Sequence, residues 1–105
     1  MTGAISVDEL EHRHAAEETF VLLDVREPDE LATASIPWAV AIPMAEIPAR
    51  MHELPRDQQI VCMCHHGSRS ERVAQFLAAN GYDAVNLMGG IDAWSRAIDS
   101  DVPRY

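Results

Sequence analysis

The sequence has 105 residues, 48% of them hydrophobic, 24% charged and 6% aromatic. That balance suits one globular domain, residues 1–105, and excludes a multidomain reading. A chain of this size should bury roughly 60 to 70% of its unfolded surface, enough for a core without disulfide or metal staples. Eight basic residues, all arginine, stand against 17 acidic ones for a net charge of -9, which argues against nucleic acid or an anionic membrane as partner. The two cysteines, Cys62 and Cys64, are too few and too close for a disulfide framework, so a reduced, cytoplasmic setting is expected. No apolar run approaches the roughly 20 residues of a membrane span. The opening Met1-Thr-Gly-Ala-Ile-Ser6 has neither a basic region nor a long apolar one, so a soluble, unexported protein is expected.

Along the chain, short β-branched apolar runs alternate with helical stretches of about ten residues, the pattern of a mostly parallel sheet covered by helices. After a short apolar start at Ala4-Ile5, Ser6 followed by Glu9 gives a capping-box spacing and opens a polar helix running towards Glu18. The apolar run at 20–25, FVLLDV, reads as a central strand buried on both faces. Pro28 with Asp29 and Glu30 then sets a first helical turn, and a short helix through about Thr33 follows. A strand at 39–42 leads to Pro43, after which Met44, Ile47, Met51 and Leu54 recur at near-helical spacing, with the helix proper starting near Pro48.

The next strand, 59–63, runs directly into Cys64-His-His-Gly-Ser-Arg-Ser70. The helix after it carries Val73, Phe76 and Leu77 on one face and stops at Asn80-Gly81, a left-handed terminator. A strand at 84–88 and the Gly89-Gly90 turn lead into a last helix with Ile91, Trp94 and Ile98 on its buried stripe. The reading is an α/β fold of about five strands with four or five helices.

The passage from strand to helix between Met63 and Glu71 carries the chemistry. A cysteine at the carboxyl end of a buried strand, followed by a loop whose N–H groups turn inward and then by a helix start, is placed to hold negative charge. Such surroundings favour thiolate over thiol and make Cys64 the candidate nucleophile. Gly67 supplies the freedom for the turn, Ser68 with Glu71 repeats the capping-box spacing, and Arg69 adds a cation with a guanidinium fork. His65 and His66 sit beside the thiol as polar groups that favour anions when protonated. Cys62 lies inside the strand and reads as core packing. Cys62, Cys64, His65 and His66 do not surround a tetrahedral ion, because neighbours on an extended strand point to opposite faces. No metal and no cofactor are expected.

These residues resemble a known family. Cys64-His65-His66-Gly67-Ser68-Arg69-Ser70 is similar to the C-x-x-G-x-R-[ST] loop of rhodanese-like sulfurtransferases. Asp24, Arg26 and Glu30 resemble the family's D-x-R-x-x-x-E segment, Ile42-Pro43 its strand end, and Gly89-Gly90 with Trp94 its G-G-x-x-x-W motif. The resemblance implies a single-domain rhodanese-like fold, a five-stranded, mostly parallel sheet flanked by helices. It also implies transfer of sulfane sulfur from thiosulfate or a persulfide donor to a thiol or cyanide acceptor through a Cys64 persulfide, with thioredoxin or a sulfur-relay protein as a partner. In that mechanism His65, His66, Gly67, Ser68, Arg69 and Ser70 bind the substrate sulfur, Arg69 steers an anionic donor, and Asp24 and Arg26 support the loop.

One stretch departs from the family pattern. The usual G-H-I-P-G-A is Thr33-Ala34-Ser35-Ile36-Pro37-Trp38-Ala39 here, with a bulky Trp38 where glycine is common; Trp38 reads as packing. Two rival functions share the fold. Cell-cycle phosphatases and arsenate reductases use C-x5-R loops, one residue longer than Cys64 to Arg69, and a shorter loop makes a cradle better matched to sulfur than to a tetrahedral oxyanion. Inactive binding modules of this fold usually lack the cysteine, so Cys64 argues against that class and leaves a regulatory or sulfur-carrier role as the alternative.

Overall fold

The computed structural model describes residues 3–105. Five parallel strands form one sheet in the order β1-β5-β4-β2-β3. They are β1 (Ala4–Ile5), β2 (Val21–Asp24), β3 (Val40–Ala41), β4 (Ile60–Met63) and β5 (Ala84–Leu87). Between and after them lie α1 (Val7–Ala15), α2 (Pro28–Thr33), α3 (Ile47–Arg50), α4 (Ser68–Ala79) and α5 (Gly90–Ala97).

Every residue of β4 is buried, as a central parallel strand covered on both faces requires. Alternate residues of β2 and β4 feed two cores. Leu23, Cys62 and Cys64 join Ile47, Val73 and Leu77 under α3 and α4. Leu22, Val61 and Met63 join Leu10, Ile91 and Trp94 under α1 and α5. Helices α4 and α5 therefore leave the neighbouring strands β4 and β5 towards opposite faces, and that divergence opens a crevice beyond the strands' carboxyl ends.

The expected five-stranded parallel architecture is what forms, and α2 spans Pro28–Thr33 as read from the sequence. Helix α1 is shorter than expected. It stops at Ala15, and Glu17 adopts a left-handed φ of 57° that no continuing helix allows. The Ser68–Glu71 capping box does not form: Gly67, at φ 115°, occupies the N-cap of α4 and pushes Ser68 into the first turn. Trp38 packs its ring on His14 with centroids 3.8 Å apart and meets Phe20 and Trp94 edge-on, so the unusual residue fills the second core's margin.

A charged pair is sealed under the end of β2. Arg26 donates to Asp24 through Nε at 2.9 Å and Nη2 at 2.7 Å, and the two side chains are 0% and 1% exposed. The remaining guanidinium protons reach the Ala34 carbonyl at 2.7 Å and the Tyr105 hydroxyl at 2.7 Å. Burial opposes the Arg26 charge, but Asp24 and Tyr105 more than offset it and hold the guanidinium above its ordinary value. A buried pair of this kind is costly to break from one side, because the survivor keeps its desolvation penalty. Asp24→Ala should lower stability by about 3–5 kcal/mol in a urea melt, far beyond a surface carboxylate such as Glu11→Ala. A loss of the same small size for both would show that the pair is not integral to the fold.

Candidate active site

Cys64 follows directly on β4 and is 1% exposed. Its Sγ receives the Gly67 N–H at 3.1 Å and the Ser70 N–H at 3.4 Å, and lies 3.3 Å from the Ser70 hydroxyl. The sulfur is thus buried, but the amides around it point at it. The two peptides that come before these amides in the loop are anchored on α5. The Cys64 carbonyl accepts the Ile91 N–H at 2.9 Å and the His65 carbonyl accepts the Asp92 N–H at 3.1 Å. The first turn of α5 thus holds those two carbonyls outward while the later amides of the loop close round the thiol.

Two glycines permit this approach. Gly67 turns the chain with φ 115°, a conformation L side chains rarely adopt. At Gly90 a Cβ would sit 2.4 Å from the Cys64 carbonyl oxygen and 2.5 Å from that of His65, so any side chain there would push the loop off α5. The Gly89-Gly90 motif seen in the sequence is therefore a contact surface for the cysteine loop.

Arg69 does not point its fork into the cradle. It makes a bidentate pair with Glu30 of α2, Nη1 to Oε1 at 2.6 Å and Nη2 to Oε2 at 2.9 Å. Glu30 also accepts the Glu27 N–H at 3.0 Å and the Tyr105 hydroxyl at 2.9 Å. The Arg69 guanidinium beside it holds the Glu30 carboxyl down at about 2, and Glu30 in turn holds the Arg69 guanidinium above its ordinary value. Charge at the rim is compensated locally.

The remaining predicted site residues take different positions. The His65 ring stacks on Tyr105, centroids 3.9 Å apart and 5° between planes, and lies 3.9 Å from the His66 ring. Burial, then the neighbouring His66, lowers the His65 pKa, which favours the uncharged ring in its stack on Tyr105. His66 is exposed, with Nδ1 4.0 Å from Asp92, and Ser68 is exposed as well. Asp24 and Arg26 lie beneath the rim and reach it through Tyr105. Cys62 is fully buried, and its burial pushes the thiol up to about 12, in line with a packing role. Among the described residues no cluster of His, Cys, Asp or Glu could hold a metal ion, and no helix is long and apolar enough to cross a membrane.

Sequence reading missed two residues. Tyr105 links Arg26, Glu30 and His65 from the far end of the chain. Asn86 of β5, 8% exposed, accepts the Ser70 hydroxyl on Oδ1 at 2.6 Å and donates Nδ2 to the Gly67 carbonyl at 3.1 Å. A polar residue in the middle of an otherwise apolar strand run was the available signal for Asn86.

The Glu30 pairing sets a testable acid limb. A carboxyl held at about 2 against an ordinary 4.5 contributes stability that is complete above about pH 4.5 and lost as pH falls towards 2. Glu30→Gln should flatten the stability loss between those values in denaturant melts taken across the acid range. Parallel acid limbs in the parent and the variant would contradict the pairing.

Comparison with known proteins agrees with this geometry. Residues 6–97 match the family model described as a Rhodanese-like domain. The chain is 42% identical over 97 residues to a sulfurtransferase of Allochromatium vinosum, covering 91% of each chain. It is similar to the crystal structure of a rhodanese-like domain protein from Staphylococcus aureus, with a TM-score of 0.87, 34% identity and 99% of each chain covered. A thiosulfate sulfurtransferase from Pseudomonas aeruginosa superposes with a TM-score of 0.79 at 28% identity, over 91% of this chain and 19% of that one. With its family match spanning most of the sequence and the Allochromatium vinosum sulfurtransferase aligned over 91% of its length, the chain belongs to the rhodanese-like domain family and is a sulfurtransferase of the rhodanese type.

Proposed function

We propose that the protein moves sulfane sulfur from thiosulfate or a persulfide donor to a thiophilic acceptor, with Cys64 as the carrier. The observation that supports this most is the pair of N–H groups, from Gly67 and Ser70, directed at the Cys64 sulfur. In the first half-reaction the Cys64 thiolate attacks the outer sulfur of the donor. The donor's S–S bond breaks, and its electron pair leaves with sulfite, or with a thiolate when the donor is a persulfide. In the second, a thiolate or cyanide attacks the outer sulfur of the Cys64 persulfide and the electron pair of that S–S bond returns to Cys64.

Both half-reactions place negative charge on a sulfur at the cradle. Preorganised amides stabilise such charge without reorganising, and loss of a comparable donor costs roughly 3–4 kcal/mol in other enzymes. Cys64 is 1% exposed, so a donor reaches its sulfur only as the residues packed around it give way. Glu30 compensates Arg69, so in this account Arg69 offsets its partner's charge beside the site rather than offering a bare cation. Small thiols, thioredoxin or a sulfur-relay protein suit the acceptor role, and both cysteines are free thiols, consistent with a cytoplasmic setting.

A phosphatase or arsenate reductase reading needs the loop arginine to clamp a tetrahedral oxyanion. Here both fork nitrogens of Arg69 are engaged by Glu30, which weighs against it. Thiosulfate treatment should add one sulfur, about 32 Da, to the intact mass under non-reducing conditions. Cys64→Ser should lose both this adduct and thiosulfate:cyanide turnover. Full turnover by the Cys64→Ser protein would show that another group carries the sulfur.

A further inference from the structure

The Ser70 hydroxyl has one proton and three acceptors within reach. Its oxygen lies 3.3 Å from Cys64 Sγ, 3.2 Å from the Gly67 carbonyl oxygen and 2.6 Å from Asn86 Oδ1. The Asn86 amide has only one consistent orientation. Its other arm is 3.1 Å from the Gly67 carbonyl, which can only accept, so the nitrogen belongs there and the oxygen must face Ser70. Asn86 Oδ1 cannot donate, so the 2.6 Å contact takes the hydroxyl proton. A negative sulfur at Cys64 then has the two backbone donors at once, and gains the third only if the hydroxyl turns away from Asn86.

We propose that Asn86 is a positioning residue that competes with the Cys64 sulfur for the Ser70 proton, and so sets the pH range over which Cys64 becomes nucleophilic. This rests on Cys64 being the sulfur carrier. Asn86 sits on β5 with its Cα paired to Cys62, on the strand face that α4 covers, and none of the motif segments that resemble the family includes it. Its side chain reaches the cradle through Ser70 and the Gly67 carbonyl, so it acts on the sulfur indirectly.

The charged and titratable groups around the loop are few and would stay in place. On α4 they are Arg69, paired with Glu30 of α2, Glu71, which acts on Cys62 of β4, and Arg72. In the loop they are His65 and His66, with Asp92 of α5 beside His66 and paired to Arg96 and Arg104. Beneath the rim lie the Asp24–Arg26 pair and Tyr105. Asn86→Leu adds or removes none of these charges, so its difference from the parent reports the hydroxyl.

The test is the rate of Cys64 alkylation by iodoacetamide as a function of pH, with the adduct located by tandem mass spectrometry to separate Cys64 from Cys62. Asn86→Leu removes the competitor, so the profile should move to lower pH by roughly one unit, about a tenfold faster reaction on its acid side. Asn86→Asp holds the proton harder and adds a negative charge, so its profile should move to higher pH. In a Ser70→Ala background, Asn86→Leu should produce no further shift. Thermal melts show that each variant is folded, and Asn86→Ala, which also removes the competitor without adding charge or bulk, serves if the leucine protein is not. Profiles that stay at the parent's position, that move in the same direction in both variants, or that still shift with Asn86→Leu in the Ser70→Ala background would overturn the proposal. Alkylation needs no sulfur transfer, so such a failure is distinct from a failure of Cys64 to load sulfur.

Discussion

The arrangement turns on a single constraint: α5 holds the carbonyls of the two peptides directly after Cys64, and amides further along the loop, at Gly67 and Ser70, are left for the sulfur. The Ile91 and Asp92 N–H groups bind the Cys64 and His65 carbonyls, and the Gly67 and Ser70 amides face Sγ. Each half of that statement depends on a glycine. Gly90 lets α5 come within contact of the loop, and Gly67 lets the loop turn back over the sulfur. The sheet brings these parts together because β4 and β5 are neighbours whose following helices go to opposite faces.

Charge is handled differently from what a cysteine–arginine motif first suggests. The protein carries a net charge of -9, and the cations near the cradle are each paired: Arg26 with Asp24, Arg69 with Glu30, Arg104 with Asp92. Stabilisation of a sulfur anion in this setting falls to backbone dipoles close to the atom, which burial strengthens and salt screens little. The paired ions keep α2, α4 and the Tyr105 end of the chain in register around the loop. Fixed amides suit the carrier role proposed for Cys64, in which a sulfur anion is held and then released.

Local sequence signals found much of this because they report local physics. Pro28 and the acids after it mark the start of α2, apolar runs mark β2 and β4, and the cysteine loop is contiguous from Cys64 to Ser70. What escaped is tertiary. Glu30 meets Arg69 across 39 positions and Tyr105 across 75, distances over which no periodicity speaks. Ser68 with Glu71 had the right spacing for a cap, but Gly67 in a left-handed conformation took that place because the loop has to fold back onto Cys64. Asn86 interrupts an apolar strand, but only the fold brings its two bonds to the cysteine loop.

The measurement closest to the central claim is the amide spectrum of the isotopically labelled protein before and after sulfur is loaded with thiosulfate. The Gly67 and Ser70 amide protons should move downfield together as they come to face the anionic outer sulfur, while the Ile91 and Asp92 amides, bound to carbonyls, hold their positions. Unmoved Gly67 and Ser70 resonances in protein shown by mass to carry the extra sulfur would contradict it.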